Sequence, residues 1–189
     1  MRFALLGSGS RGNATLVEEG ETCLLVDCGF SVREVERRMA RLGASPERLN
    51  GILVTHEHHD HLAGVGALSR KYRIPVWLSA GTEAAGKRRL GELPQRVVLN
   101  SHSDFVIEDL SLHPFPVPHD AREPCQFVFS NGDKRLGLLT DTGCCTPHIE
   151  RQLDGCDALI LESNHDRQML AAGPYPPALQ ARVGGARVT

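Results

Sequence analysis

The run Thr55-His56-Glu57-His58-His59-Asp60-His61 follows directly on the apolar segment Gly51-Ile52-Leu53-Val54. Six consecutive imidazole and carboxylate side chains, placed where a buried strand ends, restrict the fold strongly. A strand end that leads into a helix holds closely spaced side chains around one point, and imidazole with carboxylate suits Zn, Mn or Fe. The competing interpretation is a solvated polar turn, but an HxHxDH pattern placed by chance directly after a buried strand is rare. Its spacing departs from HExxH, so a zinc-protease helix is disfavoured.

Composition sets the bounds around this motif. The chain has 189 residues, 41% of them hydrophobic, enough for one domain with a real core, so residues 1–189 are expected to form a single domain. A formal net charge of -2 and 23% charged residues point away from both a disordered acidic tail and a strongly basic nucleic-acid binder. No apolar run approaches the roughly 18 residues of a membrane span, and the N-terminal apolar stretch is shorter than a signal-peptide core. The six cysteines show no CxxC pair and read as reduced thiols. Expected is a soluble cytoplasmic protein with no membrane partner.

Strand-like runs open the chain at Arg2–Leu6, Ala14–Glu18 and Thr22–Asp27, the last two separated by Glu19-Gly20-Glu21, which suggests antiparallel sheet. Ser31-Val32-Arg33-Glu34 is a capping box, and Val32, Val35, Met39 and Leu42 recur at helical spacing after it. Further helices are predicted at Leu62–Tyr72, Thr82–Leu90, Pro147–Leu153 and Asp166–Ala171. Strands are predicted at Val76–Leu78, Arg96–Leu99, Phe105–Ile107, Ser111–Val117, Cys125–Ser130, Lys134–Thr140 and Ala158–Glu162, with Asn131-Gly132-Asp133 as a hairpin turn. Such a β-rich chain with interspersed helices favours α+β or a layered α/β/β/α arrangement over a doubly wound parallel sheet.

Two other motifs lose their usual meaning in context. Gly7-Ser8-Gly9-Ser10-Arg11-Gly12 matches a dinucleotide-binding loop, but strand-like residues follow it where a helix N-terminus is required, so a tight glycine turn between strands is expected. Thr140-Asp141-Thr142-Gly143 matches an aspartic-protease loop, but occurs once where two carboxylates are needed. Asp141 and the strand-end His119 gain significance beside HxHxDH. His56, His58 and His119 suit one metal as a facial set, Asp60 and His61 begin a second site, and Asp141 bridges. A hydroxide bridging the two ions would be a strong nucleophile at neutral pH. Lys87-Arg88-Arg89 reads as a solvated helix face, with local attraction for phosphate as its alternative.

HxHxDH followed by a single His and a single Asp resembles the metallo-β-lactamase superfamily over nearly the whole chain. With Gly7–Asn13, Leu139–Gly143 and Glu162-Ser163-Asn164-His165-Asp166 it looks like the YycJ/WalJ/VicX branch. The resemblance implies an αββα sandwich of four layers with metals at the strand ends. It implies a metal-dependent phosphodiesterase or nuclease acting on DNA, with two divalent ions, zinc favoured and manganese or iron as alternatives. Carried over, His56, His58 and His119 hold one ion, Asp60 and His61 the other, and Asp141 both, with Asp60 also the catalytic carboxylate. Asp27 matches a ligand-orienting carboxylate of the family; Asn13, Asn164 and His165 are candidates for lining the substrate cleft or supporting the ligands.

The resemblance also implies a Gly-His-Leu-Ser-Asn-like segment carrying a last His ligand, where this sequence reads Gly184-Gly185-Ala186-Arg187-Val188-Thr189. The expectation is therefore a sandwich lacking its final C-terminal elements and a second metal short of one ligand. Two other functions stand beside nuclease activity: hydrolysis of a thioester or lactone on the same fold, and a truncated metal-binding protein with little activity.

Overall fold

The computed structural model describes residues 1–161, 167–178 and 180, which build two sheets packed face to face. The first contains β1 (Arg2–Gly7), β2 (Ala14–Glu19), β3 (Thr22–Val26), β4 (Gly51–Leu53), β5 (Val76–Ser79) and β6 (Arg96–Leu99), in that order. The second runs β11 (Ala158–Leu161), β10 (Arg135–Leu139), β9 (Cys125–Ser130), β8 (Leu110–Pro116), β7 (Phe105–Ile107). Helices α1 (Val32–Ala40), α2 (His59–Leu62), α3 (Val65–Tyr72) and α4 (Ala80–Leu90) lie in the first half of the chain. They are followed by α5 (Pro147–Leu153) and α6 (Arg167–Ala172).

Period-two alternation assigns each strand's two faces to different cores. Leu16, Leu25, Ile52 and Val76 face outward and pack with Val35 and Met39 of α1, Leu62 of α2 and Val65 and Leu68 of α3. Val17, Leu24, Val26 and Leu53 face inward against Leu112, Phe127, Phe129, Leu138 and Ile160 of the second sheet. On that sheet's outer side, Phe115, Val128 and Leu139 pack on Ile149 of α5. The result is the α+β sandwich of four layers, αββα, expected from the sequence. Among the described residues no helix is long and apolar enough to cross a membrane.

β1, β2 and β3 pair antiparallel as expected, but from β3 to β6 every pairing in the first sheet is parallel. The crossovers are α1, α2 with α3, and α4, so β3 to β5 are buried on both faces and show little alternation to read. In the second sheet β8, β9 and β10 alternate in direction, and β11 pairs parallel with β10. The segments following β1, β3, β4, β8 and β10 therefore leave their sheets at one end of the sandwich, where functional loops collect in such architectures.

The helix expected at Leu62–Tyr72 is divided. α2 begins within the histidine run, and Gly64 separates it from α3, where an added Cβ would strike the carbonyl oxygen of Phe30. The glycine-rich loop after β1 leads into β2 with no helix. Gly7 and Gly12 leave room for the Phe30 ring, over which the Arg38 guanidinium lies at 4.2 Å. Gly29 is pressed still harder: a Cβ there would collide with the carbonyl of Asp60 and stand 2.7 Å from the Gly12 Cα. Backbone atoms have nowhere to yield, so Gly29→Ala is expected to destabilise the fold by about 2–3 kcal/mol. Urea unfolding measures this, and a loss below about 1 kcal/mol would contradict the packing described.

Candidate metal centre

The centre is built on a carboxylate that cannot move. Asp27, just past β3, is 2% exposed and adopts φ 59°, the left-handed region that non-glycine residues avoid. Its amide donates to Leu53 O at 2.8 Å. Its Oδ1 accepts from the amide of Thr55 at 2.8 Å, and its Oδ2 accepts from Thr55 Oγ1 and from His61 Nδ1, each at 2.8 Å. With its proton given to Asp27, Thr55 Oγ1 accepts from His56 Nδ1 at 2.9 Å. These bonds fix both imidazoles by Nδ1 and turn Nε2 toward the centre, the arrangement by which outer partners orient metal-binding histidines.

The other two histidines are held by Asp120. Its carbonyl oxygen is 3.1 Å from His58 Nε2 and its Oδ1 is 3.3 Å from His119 Nδ1, leaving His58 Nδ1 and His119 Nε2 facing each other at 3.2 Å. Potential ligand atoms of His56, His58 and His119 all lie within 4.8 Å of one another, and so do those of His56, His61 and Asp141. His56 Nε2 and Asp141 Oδ2 are buried without a hydrogen-bond partner, although Asp141 Oδ2 lies 3.1 Å from His61 Nε2. Buried polar atoms left unsatisfied are rare. A cation accepting these lone pairs fits both groups.

Electrostatics set the histidines apart. Burial pushes His56 down to about 2, reinforced by the charge of His61, so its imidazole is neutral and its lone pair available. Burial opposes charge on His61 as well, but the Asp27 and Asp141 carboxylates overcome it and hold that imidazole up at about 10. Asp141 is held down at about 2 by its contact with His61 and the neighbouring histidines, against the effect of its own burial. Burial also lowers His119.

Asp60 stands at the edge of the second group, its Oδ2 3.6 Å from His61 Nε2. Asn13 is buried and grips the histidine turn: its Nδ2 donates to Asp60 Oδ2 at 3.1 Å and lies 2.9 Å from His61 Nε2, while its amide donates to Asp60 O at 2.7 Å. Its surroundings are those of a ligand-orienting residue. Asn164 and His165 lie outside the described residues.

Sequence reasoning did not find Thr55, Asp120 or Gln126, a buried amide that receives the Thr140 amide at 3.3 Å and donates toward Asp141 O at 3.5 Å. For Thr55 and Asp120 there was a signal, a hydrogen-bonding residue adjacent in sequence to His56 or His119; Gln126 gave none. Asp27→Asn removes an acceptor that serves two donors and is expected to weaken metal affinity about 10- to 100-fold with the fold retained. Competition with a chromogenic chelator measures this, and an unchanged affinity would show that Asp27 does not orient the ligands.

Comparison with known proteins gives the family. Residues 22–184 match the family described as the Beta-lactamase superfamily domain. The chain is 37% identical to the exodeoxyribonuclease YycJ of Bacillus anthracis over 185 residues, covering 97% of this chain and 70% of that protein. It is 34% identical to the exodeoxyribonuclease WalJ of Streptococcus pneumoniae over 186 residues, covering 96% and 69%. The crystal structure of Zn(2+)-bound PqqB from Methylobacterium extorquens superposes with a TM-score of 0.77 at 18% identity, covering 98% of this chain and 80% of that one. Sharing that domain over most of its length, and YycJ and WalJ as relatives over nearly all of it, the chain belongs to the metallo-β-lactamase superfamily of hydrolases.

Proposed function

We propose that the chain is a metal-dependent exonuclease that hydrolyses phosphodiester bonds in DNA. The observation that carries this is the convergence of His56, His58 and His119 with His61 and Asp141, each imidazole turned by a bond on its far nitrogen, in a chain whose relatives YycJ and WalJ are exodeoxyribonucleases. In this proposal His56, His58 and His119 hold one divalent ion, Asp60 and His61 a second, and Asp141 contacts both. Zinc is the favoured ion, manganese or iron the alternatives. Bound there, the ions supply Lewis acidity toward a phosphoryl oxygen and lower the pKa of water into the neutral range.

The chain's own groups do the remaining work. Asp27 and Thr55 keep Nε2 of His56 and His61 directed into the centre, and Asp120 does the same for His58 Nδ1 and His119 Nε2. Asp60 is the catalytic carboxylate: its Oδ2 is the acceptor for a proton released by the attacking water, and the Asn13 amide holds it in place. Residues 1–189 act as one domain in the cytoplasm with nucleic acid as partner. Six free cysteines support a reducing compartment.

Protein reconstituted with zinc or manganese is expected to degrade DNA from its ends and to cleave bis(p-nitrophenyl) phosphate. Chelation should abolish both activities, and His58→Ala should lower kcat about 100-fold or more. Rates independent of metal, or a thioester or lactone hydrolysed far faster than either phosphodiester, would overturn the nuclease assignment.

A further inference from the structure

The run Lys87-Arg88-Arg89 does not present three equivalent charges. α4 buries Thr82, Gly86 and Leu90, with Gly86 facing Leu62 and the Cβ of Glu57. At 100° per residue, Arg89 falls on one flank of that buried stripe, Lys87 on the other beside Glu83, and Arg88 faces away from the sheet. Glu83 is ion-paired with Arg96, which marks the Lys87 flank as the β6 side. On the opposite flank, Arg89 Nη1 donates to the carbonyl oxygen of Glu57 at 3.3 Å. Glu57 stands between the ligand candidates His56 and His58.

A second arginine is tied to the same turn by its backbone, from the loop between β8 and β9 of the second sheet. Arg122 follows His119 by three residues, and its amide donates to Glu57 Oε1 at 2.8 Å. Arg89 and Arg122 are exposed, and neither makes an ion pair among the described residues. Two exposed arginines tied to one ligand-bearing turn, Arg89 through its guanidinium and Arg122 through its backbone amide, are a local feature that the chain's net charge of -2 conceals. Glu57 and the Asp120 carboxylate keep the net field there small. Attraction for an anion at this place acts through direct contact, for which planar guanidinium is suited toward phosphate.

We propose that Arg89 and Arg122 bind two backbone phosphates of the DNA strand on the His58–His119 side of the metal centre, beyond the bond being cleaved. The proposal rests on the nuclease assignment for the identity of its ligand. It requires the contacts to serve a polymer and not a small diester, because both arginines lie outside the group of ligand atoms.

The test uses metal-loaded protein with a fluorescent single-stranded DNA oligonucleotide, following binding by anisotropy across a salt series and cleavage by gel. The double variant Arg89→Ala, Arg122→Ala should raise Kd and KM for DNA about 10-fold and leave kcat within about twofold. It should also reduce the slope of log affinity against log salt by about 1.4, two phosphates at about 0.7 each for a single strand. Hydrolysis of bis(p-nitrophenyl) phosphate should be unchanged, as should DNA affinity in Lys87→Ala, and Arg89→Lys with Arg122→Lys should restore most of the binding. Unchanged DNA affinity and salt slope in the double variant overturn this proposal alone, whereas a wild-type protein that binds DNA in this way but cleaves none overturns the nuclease assignment and leaves the phosphate contacts standing. Absence of any DNA binding by the wild type overturns it too.

Discussion

The centre depends on the three hydrogen bonds received by the Asp27 carboxylate. They join the end of β3 to the end of β4 through the Thr55 amide and hydroxyl, and both strand ends to α2 through His61. A buried carboxylate is tolerated only where its acceptors are satisfied, and at Asp27 they are met by groups that must themselves be oriented. One residue thereby neutralises its own desolvation penalty and sets the rotation of two imidazoles. The left-handed backbone at Asp27 is the conformational cost of turning its side chain into that position, a cost typical of functional sites.

Around it the centre draws on both sheets. His56, His58 and His61 follow β4 of the first sheet, while His119 and Asp141 follow β8 and β10 of the second. Cys125 ties the two sets directly, its amide donating to Thr55 O at 3.0 Å, while Gly143 donates to Pro118 O at 2.6 Å within the second. His56 takes part in both groups of potential ligands, so the most deeply buried imidazole of the cluster is also its common member. Burial is what keeps it neutral.

Much of this was legible in the sequence because it is encoded locally. The HxHxDH run after an apolar strand, the lone His119 and Asp141 at strand ends, and the capping box at Ser31 each carry their signal within a few residues. The antiparallel opening was readable for the same reason. The parallel half of the first sheet was not, since strands buried on both faces lose the alternation that reports pairing. Gly64 hid the break between α2 and α3, because a lone glycine within a helical pattern shows its purpose only when Phe30 is seen against it. Asn13 is a candidate for the cleft or for supporting the ligands only through the family resemblance, and its contact with Asp60, 47 residues away, has no local trace. Arg89 belongs to the same class: a charge run is visible in sequence, but the flank each charge occupies is not, and Arg122, outside that run, carries no signal at all.

A centre assembled from two sheets also senses how those sheets sit on one another. Between them lie Trp77, Leu53, Phe127 and Phe129, large side chains interdigitated at close-packed density. A substitution there that slid one sheet by a fraction of an ångström would leave each half of the centre intact and still separate His119 and Asp141 from the histidines opposite. The inter-sheet core thus works as a spacer gauge for the chemistry, and residues far from any reacting atom share in setting its precision.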